Sequence, residues 1–152
     1  MVFELRPVAW VRSLRVELLD DQWDGVSTTV ELDDDVPSEA LIGLEQFSHL
    51  EFVLVADRAA EVPPAPWRRH PRGNAEWPNV GIFAQRNKDR PNRLLVSIAR
   101  LERIDGRTLF VQGLDGVDGT PVLDIKPVFR WNGPRGEVVA PRWADEIGLD
   151  YF

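Results

Sequence analysis

Short segments with strand-like patterning run through most of the chain, and this patterning limits the fold more than any other feature. Over residues 26–32, apolar positions alternate with polar ones, as in a strand with one buried face. Residues 50–56 form a nearly continuous apolar run, which predicts a central strand covered on both faces. We predict further strands over 80–84, 94–103, 107–113 and 122–128.

Helical spacing, in contrast, is rare. The best candidate is 37–48, where Asp35 and Glu39 suit the N-terminal end, and a short second turn is predicted over 144–147. Asp105-Gly106 is a two-residue hairpin signal. We therefore predict a mainly β fold: one domain over residues 1–152 with one short helix and a long Pro-rich loop. Closure into a barrel would remove exposed strand edges, whereas a doubly wound α/β sheet is not expected.

Composition narrows the classes of function. The 152 residues contain no cysteine and two histidines, so a disulfide, a thiolate metal site or a multi-histidine metal site is not expected. No apolar run approaches the ~20 residues of a membrane-spanning helix, and the first residues do not resemble a signal peptide. These features favour a cytoplasmic protein with no membrane partner.

Charge is distributed unevenly along the chain. The formal net charge is −7, yet residues 1–60 carry 4 basic and 13 acidic side chains, whereas residues 61–142 carry 14 basic and 9 acidic ones. A basic central segment can meet a polyanion, although ordinary solvated arginines explain it equally well. Charge alone therefore permits an RNA partner without requiring one.

Two central segments are candidates for a loop-built site. Residues 61–79 form a long Pro-rich stretch that contains Trp67 and Trp77, so we expect it to dock on the domain or on a partner. Residues 81–93 run from a strand into a turn rich in arginine, whose forked donors suit carboxylates and phosphates. A solvated basic turn is the plainer interpretation of the second segment.

The run 113–127, GLDGVDGTPVLDIKP, is the most unusual segment. Its glycines and aspartates predict a tight loop that presents main-chain amides and acceptor side chains. Asp115, Asp118 and Asp124 are also possible Ca²⁺ ligands, but the order of an EF-hand loop is absent. His49, in Phe47-Ser48-His49, is more typical of a structural histidine than of a catalyst.

These segments, in this order, resemble the TrmO/YaeB family of methyltransferases. The matching residues are Phe47-Ser48-His49, the GIFAQR of 81–86, Arg90-Pro91-Asn92 and the whole of 113–127, and Trp10 to Ser13 resembles the family's opening strand. The resemblance implies a β-barrel-like, non-Rossmann enzyme that uses S-adenosylmethionine (SAM) and forms a homodimer. The implied activity is N6-methylation of threonylcarbamoyladenosine beside the tRNA anticodon.

The resemblance also implies a set of site residues. The implied cofactor-binding residues are Asp57, Arg58, Arg86, Val96, Leu114, Asp115, Gly116 and Val117, and the implied substrate-binding residues are Arg90, Asn92 and Lys126. No catalytic residue and no metal ligand is assigned. In these roles Asp57 and Asp115 would hold the amino group or ribose of the cofactor and Arg86 its carboxylate.

The chain also departs from the family pattern. Residues 19–25 have no clear P-R-Q element, and Asp57-Arg58 stand where the family has His-Gln. Asn87 to Arg90 replace its S-P-x-R turn, and Arg93-Leu94-Leu95 replace its P-I-G. The chain stops at Phe152, so we expect a short member without the C-terminal domain of longer bacterial members. A methyltransferase of a small metabolite and a non-catalytic SAM-binding module remain as alternatives to the tRNA enzyme.

Overall fold

Six antiparallel strands close into a barrel in the computed structural model, which describes residues 1–16, 22–23, 25–59, 66–149 and 151. In chain order the strands are β1 (Ala9–Arg12), β2 (Ser27–Leu32), β3 (His49–Val55), β4 (Arg68–Arg69), β5 (Val80–Gly81), β6 (Leu94–Asp105), β7 (Thr108–Gln112) and β8 (Pro121–Pro127). The barrel order is β1-β2-β7-β6-β3-β8, and β8 pairs back onto β1 through Ala9 with Val122 and Trp10 with Pro121. The expected mainly β, barrel-like fold is confirmed.

The barrel interior is the hydrophobic core. Along β3, Leu50, Phe52 and Leu54 point inward and are fully buried, while Glu51 and Val53 between them remain half-exposed. Successive side chains of a strand point to opposite faces, and this barrel has only one dry side. The prediction that this strand is covered on both faces was therefore wrong: the apolar residues of its outer face help to form the barrel's exterior.

The segment predicted as the main helix is not an α-helix. It forms two short 3-10 helices, Ser38–Leu41 and Leu44–Gln46, separated at Gly43, whose φ of 91° is left-handed. A residue in that conformation cannot continue a right-handed helix. The predicted C-terminal turn is confirmed as helix α1 (Arg142–Gly148).

Two turns differ in detail from the predictions. The strand expected over 80–84 is shortened to β5 and gives way to a 3-10 helix, Ile82–Ala84. The β6–β7 hairpin is present, but its two central residues are Gly106 and Arg107, because Asp105 pairs with Thr108. Gly106 has the positive φ, 56°, that a two-residue hairpin demands.

The Pro-rich segment docks on the domain over its described part, residues 66–79; residues 61–65 lie outside the described part. It begins with β4, which pairs with β5, and includes a 3-10 helix, Pro71–Gly73. Trp77 Nε1 then donates a 2.8 Å hydrogen bond to Glu146 of α1. Within the described ranges, no helix has the length and apolar character needed to cross a bilayer.

Candidate cofactor site

The β7–β8 loop (residues 113–120) lies with its main chain against the barrel core. Leu114 is fully buried with the core side chains, and Val117 is almost fully buried. An alanine at Gly116 would place its Cβ 3.3 Å from Val11 Cγ2 and 3.5 Å from Leu54 Cδ1, so the close approach depends on glycine. Leu114, Gly116 and Val117 are therefore buried, main chain included, and the Gly116 N–H already donates a 3.0 Å hydrogen bond to the Leu114 carbonyl.

Asp115 is held in the middle of this loop from two sides. Its main-chain N–H donates a 3.0 Å hydrogen bond to Oγ of Ser97 on β6, and the hydroxyl of Tyr151 donates to its carboxylate. Tyr151 is itself anchored, because its carbonyl accepts a 3.1 Å hydrogen bond from the Trp23 N–H. Burial first, and then the Asp115 carboxylate, raises the pKa of Tyr151 well above its usual range. The phenol therefore stays protonated and acts as a fixed donor.

Arg86 reaches the same region from the turn after β5. Its guanidinium donates a 3.2 Å hydrogen bond to the carbonyl of Val96, the residue before Ser97. Arg86 also lowers the pKa of Tyr151 by its charge, after burial and Asp115 have raised it, so the three groups share one neighbourhood. The side chain of Val96 is 44% exposed on the outer face of β6. Two sequence-predicted residues that are far apart in the chain, Arg86 and Asp115, are thus joined through Val96 and Ser97.

Arg58 approaches the other end of the loop from the turn after β3. One of its guanidinium nitrogens lies 2.9 Å from the position that a Cβ on Gly119 would occupy. The turn is held from behind by Arg93, whose guanidinium donates to the carbonyls of Asp57 at 3.4 Å and Ala59 at 3.5 Å. Asp57 and Arg58 are both exposed at this end of the barrel.

The three implied substrate residues do not form one cluster. Arg90 is half-buried and donates to the carbonyls of Gln85, at 2.6 Å, and Ile82, at 3.4 Å, so its guanidinium shapes the turn that carries it. Asn92 is exposed in the turn before β6. Lys126 lies near the far end of β8, opposite Glu51 in the sheet, and pairs with Asp124. Their role in substrate binding remains a prediction.

The calcium alternative finds no support. Asp118 accepts a hydrogen bond from the Ser13 N–H and Asp124 pairs with Lys126, so the aspartates of the run face different partners. Across the described ranges, no three potential metal-ligating side chains come together. His49 is exposed and shares a 2.8 Å hydrogen bond with the Ser48 hydroxyl.

Sequence reasoning missed Ser97 and Tyr151. A usable signal existed for Ser97, because it is the polar residue at an inward position of β6, followed two residues later by the buried Ala99. Tyr151 offered no such signal, since no periodicity or spacing relates it to Asp115. Its position at the site depends on the packing of the C-terminal segment.

The arrangement suits a small ligand that carries a positive and a negative group. Asp115 supplies an anion, and Arg58 and Arg86 supply forked cations. Fold and site together define a β-barrel domain that carries its candidate ligand-binding groups in the loops at one end.

Comparisons with known proteins identify the family. A family model described as the tRNA-methyltransferase O N-terminal domain matches residues 21–131, and the chain belongs to this family. The tRNA (adenine(37)-N6)-methyltransferase of Escherichia coli K12 is 42% identical over 96 residues, covering 59% of this chain and 40% of that protein. The enzyme of the same name from Mus musculus is 37% identical over 91 residues, covering 60% of this chain and 21% of its own length.

The solved structures agree. The crystal structure of TrmO from Pseudomonas aeruginosa matches with a TM-score of 0.75 at 30% identity, covering 91% of this chain and 61% of that one. The chain therefore spans less than two thirds of the relatives it matches. The family resemblance stated from the sequence is confirmed, and with it the non-Rossmann barrel.

Proposed function

We propose that the chain is a SAM-dependent methyltransferase that N6-methylates threonylcarbamoyladenosine beside the tRNA anticodon. One observation carries this proposal, and it joins three residues implied by the family resemblance. Arg58 lies against Gly119 of the β7–β8 loop, and Arg86 lies near Tyr151, whose hydroxyl bonds Asp115 of the same loop. That loop lies within the matched family domain. The names of the E. coli and mouse relatives support the same reaction.

The groups at the site fit the chemistry of SAM. Its methionine part carries an ammonium and a carboxylate, which Asp115 and the arginines complement in charge. Arg86 uses one N–H on the Val96 carbonyl, and a guanidinium has five N–H donors, so further donors remain for a carboxylate. Asp57, exposed beside Arg58, would bind the ribose or the amino group.

The chain's own residues supply positioning rather than covalent chemistry. The sulfonium of bound SAM supplies an already activated methyl group. Ser97 and Tyr151 fix Asp115 before any ligand arrives, so little reorganisation is needed on binding. Hydrogen bonds from residues 114–117 to the adenine edge would require a rearrangement of this loop, because Leu114 is fully buried and the Gly116 N–H already bonds the Leu114 carbonyl. The core side chains beneath the loop would keep water out of that side of the site.

The acceptor would be held mainly by charge. Residues 68–107 carry ten basic and four acidic side chains, and we propose that they face the RNA backbone. Binding should then weaken steeply with salt, because phosphate contacts release counterions. A flat salt response would favour a small-metabolite acceptor instead.

The remaining features belong to the same proposal. We expect one TrmO-like domain over residues 1–152, a cytoplasmic location and a homodimer. All three rest on the family resemblance and on the composition of the chain.

Calorimetry with SAM and with its demethylated product tests the cofactor half of the proposal. Arg86→Ala and Asp115→Ala should each weaken binding by about tenfold or more, the effect of one lost charged hydrogen bond. Arg135→Ala, which changes an exposed arginine of the 131–140 segment, is the matched control and should bind as the wild type does. Binding of neither ligand would reject both enzyme hypotheses.

The acceptor is tested in cells. Mass spectrometry of tRNA nucleosides from a deletion strain should show loss of the N6-methylated threonylcarbamoyladenosine. An unchanged nucleoside profile, with SAM binding intact, would reject the tRNA substrate while keeping the cofactor. Binding of SAM without methylation of any acceptor would favour a non-catalytic module.

A further inference from the structure

Two large aromatic side chains are exposed, Trp67 in the Pro-rich segment and Phe83 in the turn that also carries Arg86. Trp67 is 57% and Phe83 is 72% exposed, and their ring centroids lie 6.3 Å apart with the planes tilted by 55°. We call them the aromatic pair. Both rings keep most of their apolar surface in water, so core packing does not account for them.

The main chain beneath the aromatic pair is tightly held. The Ile82 N–H donates a 2.9 Å hydrogen bond to the Trp67 carbonyl, which ties the two segments together. Arg90 bridges the carbonyls of Ile82 and Gln85, on either side of Phe83. The buried Gln85 side chain donates in turn to the carbonyls of Arg69 and Val80.

This support fixes the main chain that carries the two rings. A rigid aromatic surface binds a flat ligand with a smaller loss of conformational entropy than a mobile one. The same support explains the position of Arg90, whose guanidinium fixes the 3-10 turn that projects Phe83 and lies 5.8 Å from its ring centroid. Arg90 would then act on a substrate through Phe83 rather than by direct contact.

The stretch of sequence that carries the aromatic pair is strongly basic. Between residues 66 and 93 there are seven arginines and lysines against two carboxylates, Glu76 and Asp89. Arg69 and Asp89 form an ion pair at 2.8 Å, so the remaining charge is almost wholly positive. Exposed aromatic faces set among cations are the features with which proteins bind single-stranded nucleic acid, because bases stack on rings and phosphates pair with cations.

We infer that the aromatic pair is a stacking platform for an unpaired base of the RNA substrate. This inference rests on the proposed function and adds the contact that would present a base to the site. The platform and the proposed cofactor residues share one turn of the chain: Arg86 follows Phe83 by three residues, and its guanidinium donates to the carbonyl of Val96, next to Ser97. Loop nucleotides fit this role better than a duplex does, because their bases are already free to stack.

Fluorescence titration of the full chain tests the platform. The probes are a short single-stranded oligoadenylate and an oligomer of the same length whose residues are abasic. Trp67→Leu and Phe83→Leu keep apolar bulk but remove the ring, and each should weaken oligoadenylate binding by about 5- to 140-fold, the range for one stacked base. Affinity for the abasic oligomer should not change. Phe83→Trp, which keeps an aromatic ring, should bind oligoadenylate as the wild type does.

Trp131→Leu is the matched control, because Trp131 is 71% exposed and stacks on Phe129 outside the basic segment. It should bind oligoadenylate as the wild type does. Equal binding by all variants, or a wild type that does not distinguish oligoadenylate from the abasic oligomer, would overturn the platform. A change from dimer to monomer in the Trp67 and Phe83 variants would overturn it too, since the pair would then contact a second copy.

The proposed function is judged separately. SAM affinity should be the same in the wild type and in all these variants. A chain that binds SAM and methylates tRNA, with ring variants that bind RNA normally, would refute the platform alone. A wild type that stacks oligoadenylate but binds no SAM would refute the methyltransferase and leave the platform standing.

Discussion

Gly119 offers a direct test of whether Arg58 belongs to the cofactor site. The residue has a φ of +80°, and a Cβ placed on it would lie 2.9 Å from a guanidinium nitrogen of Arg58. Gly119→Ala therefore imposes two changes, a strained main chain and a displaced arginine. Gly106→Ala imposes only the first, because Gly106 has a φ of +56° and nothing lies within 4 Å of its Cβ position.

The expected magnitudes follow from these two changes. An alanine in the left-handed conformation destabilises the folded state by about 1–2 kcal/mol. Replacing glycine also lowers the conformational entropy of the unfolded chain, which stabilises the fold by about 0.4–1 kcal/mol. Each variant should thus lose about 1 kcal/mol of unfolding free energy and about 2–4 °C of Tm. Displacing the flexible end of Arg58 adds little to that loss, but it removes a charged contact, so Kd for SAM should rise about tenfold in Gly119→Ala only.

Thermal melts and calorimetry with SAM measure the two effects separately. Arg58→Ala should weaken SAM binding as much as Gly119→Ala does, and the double variant should weaken it no further, because both changes remove the same contact. Equal SAM affinity in Gly106→Ala and Gly119→Ala would refute the assignment of Arg58 to the site. A Gly119→Ala variant as stable as the wild type would refute the left-handed conformation at this position.

Two further predictions concern the C-terminal segment. Tyr151 is the one tyrosine of the chain, so near-ultraviolet absorbance titrates it directly, and its pKa should lie above the ordinary value of about 10. Because the tyrosine of the unfolded chain ionises at a lower pH than that of the folded chain, the wild type should lose stability as the pH rises above about 10. Tyr151→Phe should lack that part of the loss. A titration midpoint at the ordinary value would contradict the buried hydrogen bond to Asp115. The hydrogen bond from the Trp77 indole, followed by that from Arg142, lowers the pKa of Glu146. The ionised carboxylate therefore stabilises the fold at neutral pH, and this contribution is lost on acidification. Melts between about pH 3 and pH 7 should therefore show a shallower acid dependence for Trp77→Phe, and identical slopes would argue against the Trp77–Glu146 contact.

Much of the fold could be predicted from local pattern. Alternation over residues 26–32 predicted β2, because a period of two leaves one face for the core. The nearly continuous apolar run at 50–56 predicted β3, although not that one of its faces is exposed. The number of strands and the hairpin signal then favoured a closed sheet. The failure at 37–48 has an equally local cause: apolar spacing suited a helix, but Gly43 adopts a left-handed φ that ends one.

The site divides in the same way. The run 113–127 and the residues that resemble the family pattern were visible in the sequence, and they predicted which loops would form the site. The sequence could not predict which members would meet, because hydrogen bonds such as Arg86 to Val96 and Ser97 to Asp115 depend on how the barrel brings β6 beside that loop. Nor could it predict that Leu114 and Val117 are buried with the core.

The sequence by itself determined the strand pattern, the family and the chemical types of residue at the site. Only the tertiary structure decided that Tyr151 reaches Asp115, that Arg90 supports Phe83 and that Lys126 lies apart from the other site residues. Strand pairing and loop packing join residues that are distant in the chain, and no local period records those distances. The sequence therefore predicts which residues are candidates for the site, and closure of the barrel determines which of them lie close together.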